Sequence, residues 1–394
     1  MSVAGPRRRY HFHTPGVLYV LVTLFLAVGA INSQNNLLFL ALGLAIGGLL
    51  VSGVISGSSL MGAGLERLPT IRAALATPTA LRYRVSNRGR WLPAYGISVD
   101  EVASSGTTWA AFTAPPRAFV VGVEPRRSVI VEARIVPRRR GRMRVGDVRL
   151  WTTLPFGLTR KSSTFALPGE VLVLPPELAI REGLYRRATA RAYAGAEAAL
   201  TPGTGEEFYG LREYVPGDAP RSIAWRRSAR TGELVVRQTA SPSPRRLWVV
   251  LRLDASARPS ANELAIAAAS ALLRRARHDG LAVGLVVPSH RLEFRPGQSP
   301  AHLRRMVEEL ALIEVGEPAA DSDASAPRIG RGACVVVHPG EADRSLGPSH
   351  AAHVDATRIA EVFAEDDRTR AILGVILSES ASSAGGARGR SGRA

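Results

Sequence analysis

The chain has 394 residues, a formal net charge of +18 at neutral pH and 46% hydrophobic residues. This length allows two or three domains, and the hydrophobic content excludes a mainly disordered protein. Lys161 is the single lysine and lacks the Gly-rich frame of a Walker A loop, which argues against a P-loop nucleotidase. Cys334 is the single cysteine, which argues against a disulfide framework and a Cys-rich zinc site.

Two apolar segments near the N-terminus predict a transmembrane hairpin within residues 14–58. Helices are expected at about 15–31 and 37–55, and at 1.5 Å per residue each is close to the ~30 Å core of a bilayer. Gly43 and Gly47 form a small-xxx-small pair that would let the two helices pack closely.

The charges that flank the hairpin predict its orientation. Arg7 to Arg9 precede the first helix, and Arg67 and Arg72 follow the second. By the positive-inside rule, residues 1–13 form a basic cytoplasmic N-terminus, and the chain is a multi-pass protein of the cell (inner) membrane with both termini in the cytoplasm. The alternative is a cleaved signal peptide with the same arginines as its basic region.

Residues 66–175 predict a β-rich domain. Stretches such as 128–136 alternate polar and apolar residues between turn signals, which is typical of the antiparallel strands of a small β-sandwich-like fold. The segment Pro155 to Leu158 interrupts the alternation and is interpreted as a turn with a buried Phe156. The basic run 138–142 predicts a solvated hairpin tip, with binding to phosphates or lipid headgroups as the alternative.

The segment 200–240 is dense in charged and aromatic residues. Val215-Pro-Gly-Asp218 predicts a turn, after which Asp218 would cap a helix over about 219–230 that Gly232 ends. Opposite charges at this density predict a charge-braced helix, with Trp225 packed beneath the charges, or a protein-docking surface. Catalysis would use Glu207 or Asp218 as a general base, but the segment has no histidine and no metal cluster to assist one.

Residues 245–378 alternate strands with helices, which predicts an open, mainly parallel α/β sheet with sites at the carboxyl ends of its strands. Strands are expected near 247–253, 281–287 and 333–338, with helices at about 262–278 and 300–313. Residues 315–332 predict a flexible loop, and residues 379–394 predict a disordered tail.

The first of these strands is followed by Asp254-Ala-Ser256-Ala-Arg258. This loop resembles the metal-ion-dependent adhesion site of von Willebrand factor A domains, in which an Asp-x-Ser-x-Ser loop offers one carboxylate and two hydroxyls to Mg²⁺. Arg258 replaces the last serine, and the strand that would offer another Asp ends in His338. The sequence therefore predicts a degenerate von Willebrand A-like domain with Asp254 and Ser256 as candidate metal ligands.

The remaining histidines and the known hydrolase motifs give no indication of a hydrolase. His350 and His353 lack a third ligand and are interpreted as a chance surface pair. The chain has no Gly-x-Ser-x-Gly elbow and no His-Glu-x-x-His helix.

Several motifs together resemble the bacterial family called domain of unknown function 58. One lies at Asn35 to Leu40, and another combines Gly141-Arg with Pro155 to Leu158. The signature positions are Glu207, Phe208, Leu211, Arg212, Tyr214, Gly217, Asp218, Arg221, Trp225, Ser228 and Arg230. The resemblance runs from about residue 14 to about residue 375, and Ala224 stands where the family usually has Asp.

The resemblance implies a membrane-anchored α+β multidomain protein with a two-helix transmembrane hairpin, a β-sandwich-like domain and an α/β von Willebrand A-like domain. Members are commonly associated with MoxR-type AAA+ ATPases, which implies a cytoplasm-facing scaffold or adaptor without catalysis or a cofactor of its own. The alternative is a Mg²⁺-dependent adhesion-site protein or hydrolase that uses Asp254 and Ser256. Nucleic acid is not the expected partner, because arginine excess also follows from codon bias in a GC-rich genome.

Overall fold

The computed structural model describes residues 7–12, 14–69, 72–102, 116–194, 200–203, 207–242, 245–314, 329, 332–341 and 351–388. The chain divides into two compact units, residues 1–176 and 177–394. Each unit has its own sheets and its own buried residues.

Unit 1 begins with a strand and two long apolar helices. β1 spans Arg7–Phe12, α1 spans Thr14–Ser33 and α2 spans Asn36–Met61. Both helices are long and apolar enough to cross a membrane, and only 11% of the apolar window of α1 and 6% of that of α2 are buried. These properties are consistent with membrane association. α2 continues past its predicted end at residue 55.

The two helices do not contact each other through the predicted glycine pair. A Cβ atom built on Gly43 or Gly47 would meet no described atom within 4 Å, so the predicted role of these two residues is wrong. A Cβ on Gly48 would instead lie 2.8 Å from the Tyr19 hydroxyl, which donates a hydrogen bond to the Ala45 carbonyl at 3.0 Å. A tyrosine side chain therefore sets this contact, and the spacing of small residues does not reveal it.

The remaining strands of unit 1 form two sheets. A six-stranded sheet has the order β1-β9-β8-β5-β6, with β3 beside β9, and a three-stranded sheet has the order β2-β4-β7. Their bounds are β2 Ala63–Arg67, β3 Arg72–Ala74, β4 Thr79–Asn87, β5 Ala94–Glu101, β6 Arg117–Val123, β7 Ser128–Ile135, β8 Gly141–Thr152 and β9 Thr159–Leu174. The pairings are antiparallel apart from that of β3 with β9.

A buried ion pair connects the two sheets of unit 1. Glu101 of β5 pairs with Arg67 of β2, and the Tyr83 hydroxyl of β4 donates to the same carboxylate at 2.6 Å. Arg67 also donates to the Gly146 carbonyl at 3.0 Å. Burial raises the pKa of both the Glu101 carboxyl and the Tyr83 hydroxyl. The Glu101 side chain has no exposed surface, and these donors replace the hydration of its Oε1, whereas its Oε2 has no hydrogen-bond partner among the described residues.

Unit 2 contains a small antiparallel sheet in the order β10-β12-β11, with β10 at Leu200–Gly203, β11 at Glu207–Glu213 and β12 at Val235–Pro242. The helix predicted over 219–230 is wrong in extent. A 3₁₀ turn covers Pro220–Ser222 and α4 covers Trp225–Thr231, because Ile223 between them forms a β-bridge with Val236. Gly232 ends α4 with a φ of 78°, as predicted.

The second sheet of unit 2 has the order β15-β14-β13-β16-β17 and is parallel except for β15. The strands are β13 Arg246–Leu251, β14 Ala282–Val287, β15 Leu292–Gly297, β16 Ala333–His338 and β17 Ala352–Asp355. The helices are α3 Glu182–Ala194, α5 Pro259–His278, α6 Pro300–Leu312, α7 Ile359–Val362 and α8 Asp367–Arg388. Every residue of β14 and β16 is buried, as expected for strands covered on both faces.

The structure describes only part of two segments that the sequence predicts to be a disordered tail and a flexible loop. The tail predicted to be disordered from residue 379 is helical as far as Arg388, because a helix that has already begun extends at little cost, here even through Gly385 and Gly386. Residues 389–394 and most of the loop predicted at 315–332 lie outside the described residues.

Replacing Tyr83 with Phe should destabilise unit 1 by about 2 kcal/mol, because a buried carboxylate would lose one of its donors. The measurement is denaturant unfolding of the full chain in detergent. Tyr95→Phe is the matched control, since Tyr95 lies on β5 and is 49% exposed. Equal stability of the two variants would contradict the role given to this hydrogen bond.

Candidate functional site

The order of the five-stranded sheet marks one of its edges as a candidate site. β13 is followed along the chain by its neighbour β14 on one side, and the later strand β16 lies on its other side. Ligands of open α/β sheets bind at the carboxyl ends of strands where the strand order reverses in this way. Asp254 follows β13, His338 ends β16 and Asp355 ends β17, so all three belong to this edge.

The Asp254 carboxylate is held within its own loop. Its Oδ1 accepts hydrogen bonds from the backbone N–H of Ser256 at 2.8 Å and from the Ser256 hydroxyl at 2.7 Å. These bonds lower the pKa of Asp254. The buried side chain of Asn262 clamps the loop, since its Oδ1 accepts from Asp254 N at 3.0 Å and its Nδ2 donates to Asp254 O at 2.7 Å. No sequence motif indicates Asn262, because it reaches the loop only through the start of α5 at Pro259.

The donor set of this loop fits Mg²⁺ poorly. The ion prefers near-octahedral coordination by oxygen, whereas the Ser256 hydroxyl donates to the one carboxylate beside it. Arg258, immediately before α5, is exposed and adds a positive charge. Across the described ranges of the chain, no three His, Cys, Asp or Glu side chains form a metal-ligand group. The structure thus brings Asp254 and Ser256 together, but only as a hydrogen-bonded pair.

Two histidines meet at the same edge of the sheet. His338 Nε2 and His353 Nδ1 are 2.9 Å apart, and the rings stack with centroids 5.2 Å apart. One ring must therefore donate and the other accept. His350, which the sequence paired with His353, lies outside the described residues. The parallel pairing of β16 with β17 creates this contact, and sequence spacing does not show it.

A cavity of about 330 Å³ adjoins the histidine pair. Its lining residues are Leu184, Glu341, His353, Val354, Asp355, Arg358, Glu361 and Val362. The Thr357 hydroxyl donates to Asp355 Oδ1 at 2.6 Å, and Arg358 lies 3.7 Å from Asp355 and 3.6 Å from Glu361. Three charged groups of the wall, Asp355, Arg358 and Glu361, are therefore paired with one another.

The signature segment, residues 200–240, forms a second candidate site. Asp218 does not cap a helix as predicted. Its carboxylate forms a bidentate pair with Arg212, with contacts of 2.7 and 2.5 Å, and accepts from Val215 N at 2.9 Å. Gly217 completes the turn with a φ of 111°. The Arg212 guanidinium lowers the pKa of Asp218, which makes this carboxylate a weak base at neutral pH.

The other signature residues divide into buried and exposed positions. Ser228 is buried, and its hydroxyl accepts from Val235 N at 2.9 Å. Tyr214 N donates to Leu234 O at 2.9 Å, whereas Arg221 and Arg230 are exposed. Glu207 is the first residue of β11, and its side chain lies outside the described part of the chain.

The apolar side chains of the signature segment are open to solvent. Trp225 was predicted to lie beneath the charged side chains, but it is 63% exposed, because it is the first residue of a short α4 and not the middle of a longer helix. The other exposed apolar residues are Phe208, Leu211, Val215 and Leu234, which are 43% to 57% exposed. These exposed apolar side chains make the segment a candidate interaction surface.

Replacing Ser256 with Ala should raise the pKa of Asp254 towards its ordinary value. A carboxyl whose pKa is lower in the folded state adds stability above the unfolded-state pKa, and this stability is lost as the pH falls through the folded-state pKa. The variant should therefore be less stable than the wild type at neutral pH, and the difference should shrink in acid. The measurement is the unfolding midpoint from about pH 2 to pH 7.

The control for this prediction is Ser222→Ala, because the Ser222 hydroxyl donates to the Ala219 carbonyl at 2.6 Å rather than to a carboxylate. Its effect should not depend on pH. An effect of Ser256→Ala that is equally independent of pH would contradict the assignment.

Comparison with known families places the signature segment in context. Residues 210–337, from β11 to β16, match the family described as Protein of unknown function DUF58. The resemblance seen in the sequence is thereby confirmed over this range, which is shorter than the range of about 14 to 375 expected from the motifs. A search of curated proteins finds no match to the chain.

Proposed function

We propose that the protein is a membrane-anchored, cytoplasm-facing scaffold or adaptor that docks a protein partner through the signature segment. The observation that carries this proposal is the exposure of Trp225 and four other apolar side chains on an element that hydrogen bonds hold in place. No catalysis of its own is part of the proposal.

The anchor in this proposal is the pair α1 and α2. Phe25 is 71% exposed, Leu44 is 70% exposed and Leu24 is 65% exposed, so the protein itself does not cover these side chains. A lipid bilayer would cover them at a favourable free energy. The arginines before α1 and after α2 support a cell-membrane hairpin with both termini in the cytoplasm.

The docking surface has the chemistry of a protein interface. Trp and Arg are the residues most enriched among those that dominate binding energy. Trp225 is followed by Arg226 and Arg227 on α4, and Arg237 of β12 lies 5.5 Å from the centre of the Phe208 ring. These cations favour an acidic surface on the partner.

A MoxR-type AAA+ ATPase is the partner that we propose, and the bacterial family resemblance is the support for it. The sheet order β15-β14-β13-β16-β17 and the Asp254-Ser256 loop at the reversal point support a von Willebrand A-like identity for residues 245–378. The low pKa of Asp218 and of Asp254 supports a binding role over acid–base catalysis.

The test of docking is co-purification of the detergent-solubilised chain with the MoxR-type ATPase of the same genome. Trp225→Ala should lower capture at least about tenfold, because a central aromatic residue carries much of an interface's binding energy. Trp91→Ala is the matched control, since Trp91 is 84% exposed but lies in unit 1. Wild-type chain that captures no ATPase, or equal losses in both variants, would count against this surface.

A second candidate function is Mg²⁺ binding or Mg²⁺-dependent hydrolysis at Asp254 and Ser256. The observation in its favour is the position of both residues in the loop after β13, where the strand order of the sheet reverses. Calorimetry of the full chain with MgCl₂ or MnCl₂ separates the two functions, and the scaffold proposal expects no binding heat. Heat that disappears in Asp254→Ala would establish the metal site instead.

A further inference from the structure

The loop from Leu154 to Leu158 carries an exposed aromatic ring where the sequence predicts a buried one. Phe156 is 56% exposed and Leu154 is 39% exposed, so the predicted burial of Phe156 is wrong. Leu158, at the end of the loop, is only 4% exposed. The loop therefore holds itself in place through Leu158 and presents Phe156 outwards.

The same loop lies against both apolar helices. A Cβ atom on Gly16 of α1 would overlap the carbonyl group of Leu158, and a Cβ on Gly48 of α2 would lie 4.0 Å from the ring of Phe156. Glycine at position 16 thus allows the close approach of the loop to the start of α1.

The positions of these contacts along the helices fix the depth of the loop. At 1.5 Å per residue, Gly48 lies about 18 Å from the first residue of α2, and Gly16 lies about 26 Å from the end of α1. The hydrocarbon core of a bilayer is about 30 Å thick. If the loop between the helices reaches the far side of the core, Phe156 lies at or inside the near boundary of the acyl chains.

Part of the backbone of the loop has its hydrogen-bonding groups satisfied within the protein. Pro155 has no N–H group, Gly157 N donates to the Thr153 carbonyl at 2.7 Å, and Leu154 N donates to the Thr152 hydroxyl at 3.2 Å. Backbone donors near hydrocarbon must be satisfied within the protein. Leu154, Pro155 and Gly157 meet this requirement.

Basic side chains follow the loop at the level where headgroups would begin. The guanidinium of Arg160 lies 3.8 Å from the centre of the Trp151 ring, and Lys161 Nζ donates to the Gly53 carbonyl of α2 at 2.6 Å. Burial lowers the pKa of this lysine. Gly53 lies about 8 Å further along α2 than Gly48, which is about 26 Å from the first residue of α2 and close to the near boundary of a core about 30 Å thick. Aromatic side chains with adjacent Arg and Lys are typical of the membrane–water interface.

We infer that the loop 154–158 inserts into the interfacial layer of the bilayer that α1 and α2 span, with Phe156 among the acyl chains and Arg160 and Lys161 beside anionic headgroups. The lipid surface is the occupant, because the exposed ring is continuous with the lipid-facing surface of the helices. This inference rests on the membrane anchor of the proposed function, but not on its protein partner.

The test uses the full chain with Cys334→Ala, which removes the single cysteine. Phe156→Cys is labelled with the fluorophore NBD and reconstituted into vesicles of phosphatidylcholine and phosphatidylglycerol. Spin-labelled lipid should quench this site at least about threefold more than the control site, as expected for insertion at the acyl boundary.

The control is Glu124→Cys in the same unit. Glu124 is exposed in the turn after β6, and this turn connects through Asn87 and Arg88 to Gly62, just beyond the end of α2. Retention in carbonate with equal quenching at both sites would overturn the inserted loop and leave the anchor standing. Extraction of the wild-type chain by carbonate would overturn the anchor and the inference with it.

Discussion

Unit 1 depends on an apolar surface that the protein does not cover. The side chains of α1 and of the first part of α2 are exposed, and burying them is the largest unmet hydrophobic demand of the unit. α2 is longer than a bilayer requires, and its later part packs on the β-sheets, where Ser52 and Leu60 are buried and Gly53 accepts from Lys161. The helices and the sheets of unit 1 therefore share one packed body, and the loop 154–158 lies against both helices.

Acidic side chains in both units are satisfied by donors close to them. Glu101 pairs with Arg67 in the buried core, Asp218 pairs with Arg212 across a turn, and Asp254 accepts hydrogen bonds from the serine two residues later. In each arrangement, the carboxylate holds two sheets together or holds the backbone of a turn in place. The pKa of Asp218 and of Asp254 is lowered, which makes both weak bases at neutral pH, and the Glu101 side chain has no exposed surface. These three groups therefore favour architecture over acid–base chemistry. The apolar surfaces, not the acids, are then the best guide to function.

The sequence predicts the helices and strands, which depend on the periodicity of apolar residues. It does not predict contacts between residues that are far apart along the chain. Apolar runs predicted both helices of the hairpin, and alternation with helices predicted the strands of the parallel sheet, because burial imposes a period on the chain. The Asn262 clamp and the His338–His353 pair arise from the packing of α5 and the register of β16 with β17. The density of charged residues predicted that ion pairs stabilise the region around Asp218. It did not predict where they form, since the β-bridge of Ile223 with Val236 divides the expected helix.

Bracing and docking, which the sequence presents as alternatives for the signature segment, are compatible in the structure. The Arg212–Asp218 pair and the Ser228–Val235 hydrogen bond lie within the turn and beneath α4, and they leave Val215 and Trp225 exposed. Holding these side chains in one arrangement lowers the entropy lost when a partner covers them. A braced element with an open apolar surface is therefore better suited to binding than a flexible loop of the same composition. The same reasoning applies to Phe156, whose loop is fixed by the buried Leu158 while its ring stays exposed.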